Sequence, residues 1–258
     1  MATGGVRMLV TSASLWRCVR TDGAGSGNFA VQRRFAERWA AIASVPLETA
    51  YLECTTWYLQ ATGLGRQFDA GHPTWRELVS EVRSAADPDG AIHAAAVRNE
   101  PEASPGPVLD WSWEAEDRCV RLHFFGERSQ DGHPLARRHL AERHRELRDL
   151  ASSAALEHAD AAWFRGRSWL YGLEAYRRIF PEVFLAGLEP REPDLQFLAC
   201  WGQLLDGLWR TRSATASVLL HAVEVASTTD DLLAAFPFVM HESRIPFNVL
   251  MAAVLLED

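Results

Sequence analysis

Residues 109 to 124 constrain this chain's fold more than any other stretch. Leu109, Trp111 and Trp113 alternate with Asp110, Ser112 and Glu114. After the four residues Ala115 to Arg118, Val120, Leu122 and Phe124 alternate with Cys119, Arg121 and His123. A period of two with one apolar side predicts an antiparallel hairpin that packs one face on a core and leaves the other polar. The register follows from burial. Trp113 opposite Val120, Trp111 opposite Leu122 and Leu109 opposite Phe124 buries all six together, whereas a slip of one residue sets apolar against polar. That register also sets Asp110 opposite His123, Ser112 opposite Arg121 and Glu114 opposite Cys119. An aspartate facing a histidine fixes the ring tautomer and raises its basicity, as a general base requires. The plainer reading of the same pair is a cross-strand ion pair.

A lone hairpin is marginal, so the flanking chain must supply layers. Upstream the apolar period is helical. Asn28 can cap a helix from Phe29 to Ala43, and Leu47 to Ala61 forms a second, ended by Gly63 in the left-handed conformation. Thr74 opens a third helix, which stops before Asp87-Pro88-Asp89-Gly90, a turn and the expected subdomain boundary. Downstream the sequence predicts a strand at Ala91 to Val97, a helix from Pro134 to Glu157 and a strand from Trp163 to Leu170. A helix is expected at Leu195–Leu208, a helix or a weakly alternating strand at Thr215–Val225, and a last strand at Phe238–Ile245. The fold class read from this order is α+β: a helical subdomain over residues 1–90, then a mixed α/β subdomain over residues 91–258 that contains the antiparallel hairpin.

Composition narrows the chemistry. Of 258 residues, 26 are basic and 34 acidic, for a net charge of −8, which argues against non-specific nucleic-acid binding. All the basic residues are arginine, so Schiff-base, pyridoxal-phosphate, Walker A and kinase-type lysines are excluded. Cys18, Cys54, Cys119 and Cys200 are far apart and read as isolated thiols in a reducing compartment. No signal peptide and no membrane span are expected, which implies a cytoplasmic protein.

Several short motifs fail on context. Gln60-Ala-Thr-Gly63-Leu-Gly65 matches a pyrophosphate-wrapping string of acetyltransferases, but a helix precedes it and a helix C-cap accounts for Gly63. The glycines at 23, 25 and 27 lack dinucleotide spacing. His139-Leu-Ala-Glu142-Arg-His144 lacks the histidine placement of a zinc helix, so no metal is expected there. Gly166-Arg-Ser168-Trp-Leu170 has leucine where a nucleophile elbow needs glycine. If residues 163 to 171 are extended, Arg165, Arg167, Trp169 and Tyr171 share one face, where arginines beside aromatics suit an anionic or planar ligand.

Leu122-His123, then Pro134-Leu135 opening a long helix, then a segment ending Ser168-Trp169-Leu170, resembles the bacterial GNAT-like acyltransferases that carry a helical N-terminal domain. The likeness covers about Arg118 to Pro181. Phe124-Phe125-Gly126 replaces that family's proline-bearing turn, and Arg167 stands where it has cysteine or histidine. The resemblance implies transfer of an acyl or aminoacyl group from an activated carrier, such as coenzyme A, to an amine or hydroxyl of a small molecule. No permanently bound cofactor is implied, and His123, Ser168 and Trp169 would lie near the acceptor. In this reading His123, oriented by Asp110, is the base, while Arg165 and Arg167 hold carrier phosphates or an acceptor carboxylate. The alternatives are a non-catalytic binding protein and a cofactor-free isomerase or cyclase with an aromatic pocket. The sequence leaves the oligomeric state open.

Overall fold

A computed structural model describes residues 26–64, 67–99, 106–126, 129, 133–206 and 210–256. In chain order the elements are α1 (Ser26–Ala43), α2 (Leu47–Cys54), α3 (Trp57–Thr62), α4 (Pro73–Ser84), α5 (Pro88–Arg98), β1 (Leu109–Glu114), β2 (Cys119–Phe124) and α6 (Leu140–Glu157). There follow β3 (Trp163–Ser168), α7 (Glu174–Arg177), α8 (Glu182–Leu185), β4 (Glu189–Arg191), α9 (Leu198–Trp201), α10 (Ser213–Val225), α11 (Thr229–Ala234), β5 (Met240–Pro246) and α12 (Phe247–Leu256). The protein is α+β, as its alternating and helical periods require.

The chain forms two compact units, and neither ends where the sequence suggested. Among the described residues, one unit comprises 26–99 with 191–240, and the other comprises 106–190 with 241–256. The turn expected at Asp87-Pro88-Asp89-Gly90 is instead a helix start. The Asp87 carboxylate accepts the Gly90 N–H at 3.0 Å, and Pro88 occupies the first helical position. Ala91–Val97 is therefore helix, not strand: its alanines favour a helix and α5 packs between α1, α3 and α4. The helical unit resumes at Arg191 because α9, α10 and α11 bring Trp201, Leu219 and Leu232 into the core built by Phe35, Trp57 and Trp75.

A run of polar residues is buried in that helical core. Gln32 accepts the N–H and hydroxyl of Thr56 at 2.9 and 3.0 Å, and Thr56 also bonds Gln60. The pair Thr55-Thr56 interrupts what reads as one helix, leaving α2 and α3 as separate pieces. Gly63 ends α3 at φ 67°, the left-handed cap its position predicts. Gly65 and the glycines at 23 and 25 lie outside the described residues.

The second unit is built on one five-stranded sheet in the order β1-β2-β3-β5-β4. The hairpin register matches the burial argument at every pair, from Leu109 opposite Phe124 to Glu114 opposite Cys119. β3 then runs parallel to β2 and antiparallel to β5. Leu109, Val120, Leu122, Phe164 and Ile245 cover one face, and Leu147, Leu150 and Ala154 of α6 with Leu250 and Val254 of α12 close the core over it. Trp111 and Trp113 lie at its margin, Trp113 stacked on His158 at 4.1 Å between ring centres.

Candidate functional site

The opposite face of the sheet is polar across four strands. Strand pairing and the twofold alternation of side chains put Asp110, Ser112 and Glu114 of β1 on this face with Arg121 and His123 of β2. Trp163, Arg165 and Arg167 of β3 and Glu242 and Arg244 of β5 complete it. One row reads Ser112, Arg121, Arg165, Arg244. The neighbouring pairs on this face are Asp110 with His123 across β1 and β2, and Arg167 with Glu242 across β3 and β5. Three arginines abreast repel one another unless a carboxylate intervenes. Glu114 supplies it, receiving Arg165 Nη2 at 2.7 and 2.5 Å and Arg121 Nη1 at 3.2 Å. Arg244 covers the Trp163 ring at 4.8 Å.

His123 is half-buried, stacked on Phe125 with ring centres 6.0 Å apart. Its Nε2 lies 2.8 Å from the hydroxyl oxygen of Ser112. With Nδ1 protonated, Nε2 accepts the hydroxyl proton, which is the arrangement that turns a serine into a nucleophile. Asp110 is the cross-strand partner of His123, and its carboxylate also receives the Trp111 N–H at 2.9 Å. Compared with known proteins, the chain matches no family model, no curated protein and no solved structure.

The predicted site residues divide between the two faces. Asp110, His123, Arg165 and Arg167 share the polar face, the pairing of Arg121 with Arg165 joining the hairpin's face to that of β3. Ser168 and Tyr171 do not join them. β3 ends at Ser168, which alternates with Arg167 and so lies on the core side, where its hydroxyl accepts the Leu170 N–H at 3.1 Å and starts a 3-10 turn over Trp169–Gly172. That turn carries Tyr171 into the core at 3% exposure, and burial drives its hydroxyl pKa well above the usual tyrosine range. The expectation of one extended face from 163 to 171 fails because Ser168 caps a turn instead of continuing a strand. The role assigned to Arg165 changes too, since Glu114 already occupies its guanidinium.

Ser112 is the residue the sequence reading passed over. The register pairs its Cα with Arg121, but its hydroxyl turns diagonally to His123. Diagonal neighbours on one face are within reach of a long or ring side chain, and only that rule could have pointed to it. Cys119, on the same strand face, is buried, and desolvation pushes its thiol up to about 11, so it is no nucleophile at neutral pH.

Proposed function

We propose that the protein transfers an acyl or aminoacyl group from an activated carrier to an amine or hydroxyl of a small molecule, through Ser112 activated by His123. The observation that carries this reading is the 2.8 Å contact between Ser112 Oγ and His123 Nε2 on a polar sheet face. His123 takes the hydroxyl proton as Ser112 attacks the carrier's thioester carbonyl. The leaving thiolate takes a proton from the histidine, and the acyl group rests as an ester on Ser112. An amine or hydroxyl then attacks that ester, His123 removing its proton and returning one to Ser112. Asp110, the cross-strand partner of His123, is assigned the role of favouring the tautomer that leaves Nε2 free to accept. Arg167, on the same sheet face, supplies positive charge for carrier phosphates or an acceptor carboxylate, while the Arg165 guanidinium is bonded to Glu114. The resemblance of residues 118 to 181 to GNAT-like acyltransferases supports the acyl-transfer class, now without Ser168 or Tyr171 in the site.

Incubation with acetyl-coenzyme A and longer acyl thioesters, followed by intact-mass measurement and peptide mapping, tests the reading. The expected result is an acyl adduct on Ser112 that Ser112→Ala abolishes and His123→Ala slows by roughly 10²–10⁴-fold. An equal adduct in Ser112→Ala, or none with any thioester, overturns it. The second reading is a binding protein. It is favoured by Glu114 holding both Arg121 and Arg165, an internal neutralisation that a partner's surface can meet without chemistry.

A further inference from the structure

A carboxylate of α6 holds the open end of the hairpin. Glu146 Oε1 accepts the Val108 N–H at 3.1 Å and its Oε2 accepts the Leu109 N–H at 3.2 Å, where β1 begins. β1 is an edge strand of the sheet, and Leu109 is only 1% exposed. Because the Val108 carbonyl receives the Phe125 N–H at 2.7 Å, the alternation of an antiparallel pair turns the Leu109 N–H away from β2. A buried donor at a sheet edge needs an acceptor, and Glu146 supplies it.

Glu146 is itself held. Arg143 Nη1 lies 3.1 Å from its Oε2, while Arg143 Nη2 lies 2.8 Å from Glu142, and the arginine is buried. From Glu146 the contacts run on to the polar face. Val108 takes the Phe125 N–H, Phe125 stacks on the His123 ring with centres 6.0 Å apart, and His123 Nε2 meets the Ser112 hydroxyl at 2.8 Å. Val108 and Phe125 are both buried, so close packing passes a shift of one to the other.

We propose that Glu146 is a positioning residue for Ser112 and His123. By fixing Val108 and Leu109 on α6 it fixes Phe125, and so the angle at which the imidazole presents Nε2 to the hydroxyl. Glu146 acts through two peptide groups and one ring, not by touching the reacting atoms. This role rests on the reading in which Ser112 is the nucleophile, but the bond between Ser112 and His123 can be followed without any substrate. A misplacement of about 1 Å at a reacting group can cost roughly 10²-fold in rate, so an anchor at the strand's start is enough to matter.

Two variants of the full chain test it. Glu146→Gln keeps the reach but loses one acceptor, and Glu146→Asp keeps the charge for Arg143 but draws the oxygens back by one methylene. Arg143 retains Glu142 in both, and either variant decides if the other fails to fold. In protein carrying nitrogen-15 histidine, Ser112→Ala should move the His123 Nε2 resonance in the native background, and by about half as much or less beside a Glu146 variant. With an acyl thioester at saturation, both variants should acylate Ser112 about tenfold to a hundredfold more slowly, with half-saturation unchanged. Ala154→Gly loosens the same helix away from the hairpin's open end and is the stability control; it should keep the native resonance shift and rate. Native behaviour in either Glu146 variant, equal losses in Ala154→Gly, or a His123 resonance indifferent to Ser112→Ala in the native background each overturn the proposal. If no thioester acylates the native protein, the acyl-transfer reading falls, and the histidine resonances still decide the role of Glu146.

Discussion

The hydroxyl of Tyr171 fills the space over Gly166 that a Cβ at that position would need, with Phe184 pressing in from the other side. Gly166 is thus fixed by packing, not by backbone freedom. Gly166→Ala forces Tyr171 out of a core it shares with Tyr176, Phe180 and Phe184. Overpacking of this kind costs about 1–3 kcal/mol. Tyr171→Phe removes the clashing oxygen and should recover part of that loss. Urea unfolding of the two single variants and the double variant checks this; strictly additive losses would show that the two residues do not meet.

Glu114 holds two arginines on adjacent strands, and all three side chains are only 22–24% exposed. Glu114→Gln leaves Arg121 and Arg165 side by side with a neutral partner. Because the group is partly solvated, the expected loss is modest, about 1–2 kcal/mol at low salt, and it should shrink as salt screens the repulsion between the arginines. Arg165→Met should cost less in the Glu114→Gln background than in the native protein. A loss that is independent of salt and of Arg165 would assign Glu114 a packing role alone.

What the sequence made legible was what depends on local period. The hairpin register, the Gly63 cap and the helices over 29–43 and 140–157 follow from spacing and burial. However, α1 already starts at Ser26, ahead of the cap expected at Asn28, and residues 134–139, expected as helix, are a turn and a 3-10 segment. The hairpin's share of the polar face followed too, because register fixes facing. What stayed hidden depends on residues distant in sequence. Nothing local announces that β3 runs parallel to β2, or that residues 191–240 return to the helical unit. Asp87-Pro88-Asp89-Gly90 is composed like a turn but works as a helix cap, because an Asp followed by Pro serves either purpose. Ser168 misled for the same reason: a strand-compatible residue became a cap, and Tyr171 went inward with it.

The described cysteines are inert by burial. Cys119 is pushed up to about 11, Cys54 is raised further by desolvation, and Cys200 is fully buried. In a Cys18→Ser variant, native protein at pH 8 should react with a disulfide reagent only at the rate of unfolding, and three thiols should appear at once in denaturant. Fast reaction of any one under native conditions would reveal local opening of the core around it.

Asp231 supplies the sharpest pH signature. Its Oδ2 accepts the N–H groups of Ser227 and Thr228 and the Ser227 hydroxyl, each at 2.9 Å. Thr228 returns the bond by accepting the Asp231 N–H at 3.1 Å, closing a capping box on α11. Bonds to the charged form hold this carboxyl at about 2, against an ordinary 3.8. The folded value lies below the unfolded one, so the stabilisation is complete above the unfolded value and is lost as pH falls through the folded one. Its window is therefore pH about 4 down to about 2. Asp231→Asn keeps an acceptor but has no charge to lose. The difference in urea midpoint between native protein and variant should be constant from pH 7 to 5 and close steadily from pH 4 to 2. A difference that persists unchanged to pH 2 would mean that the bonds at this cap do not distinguish the ionised from the neutral side chain.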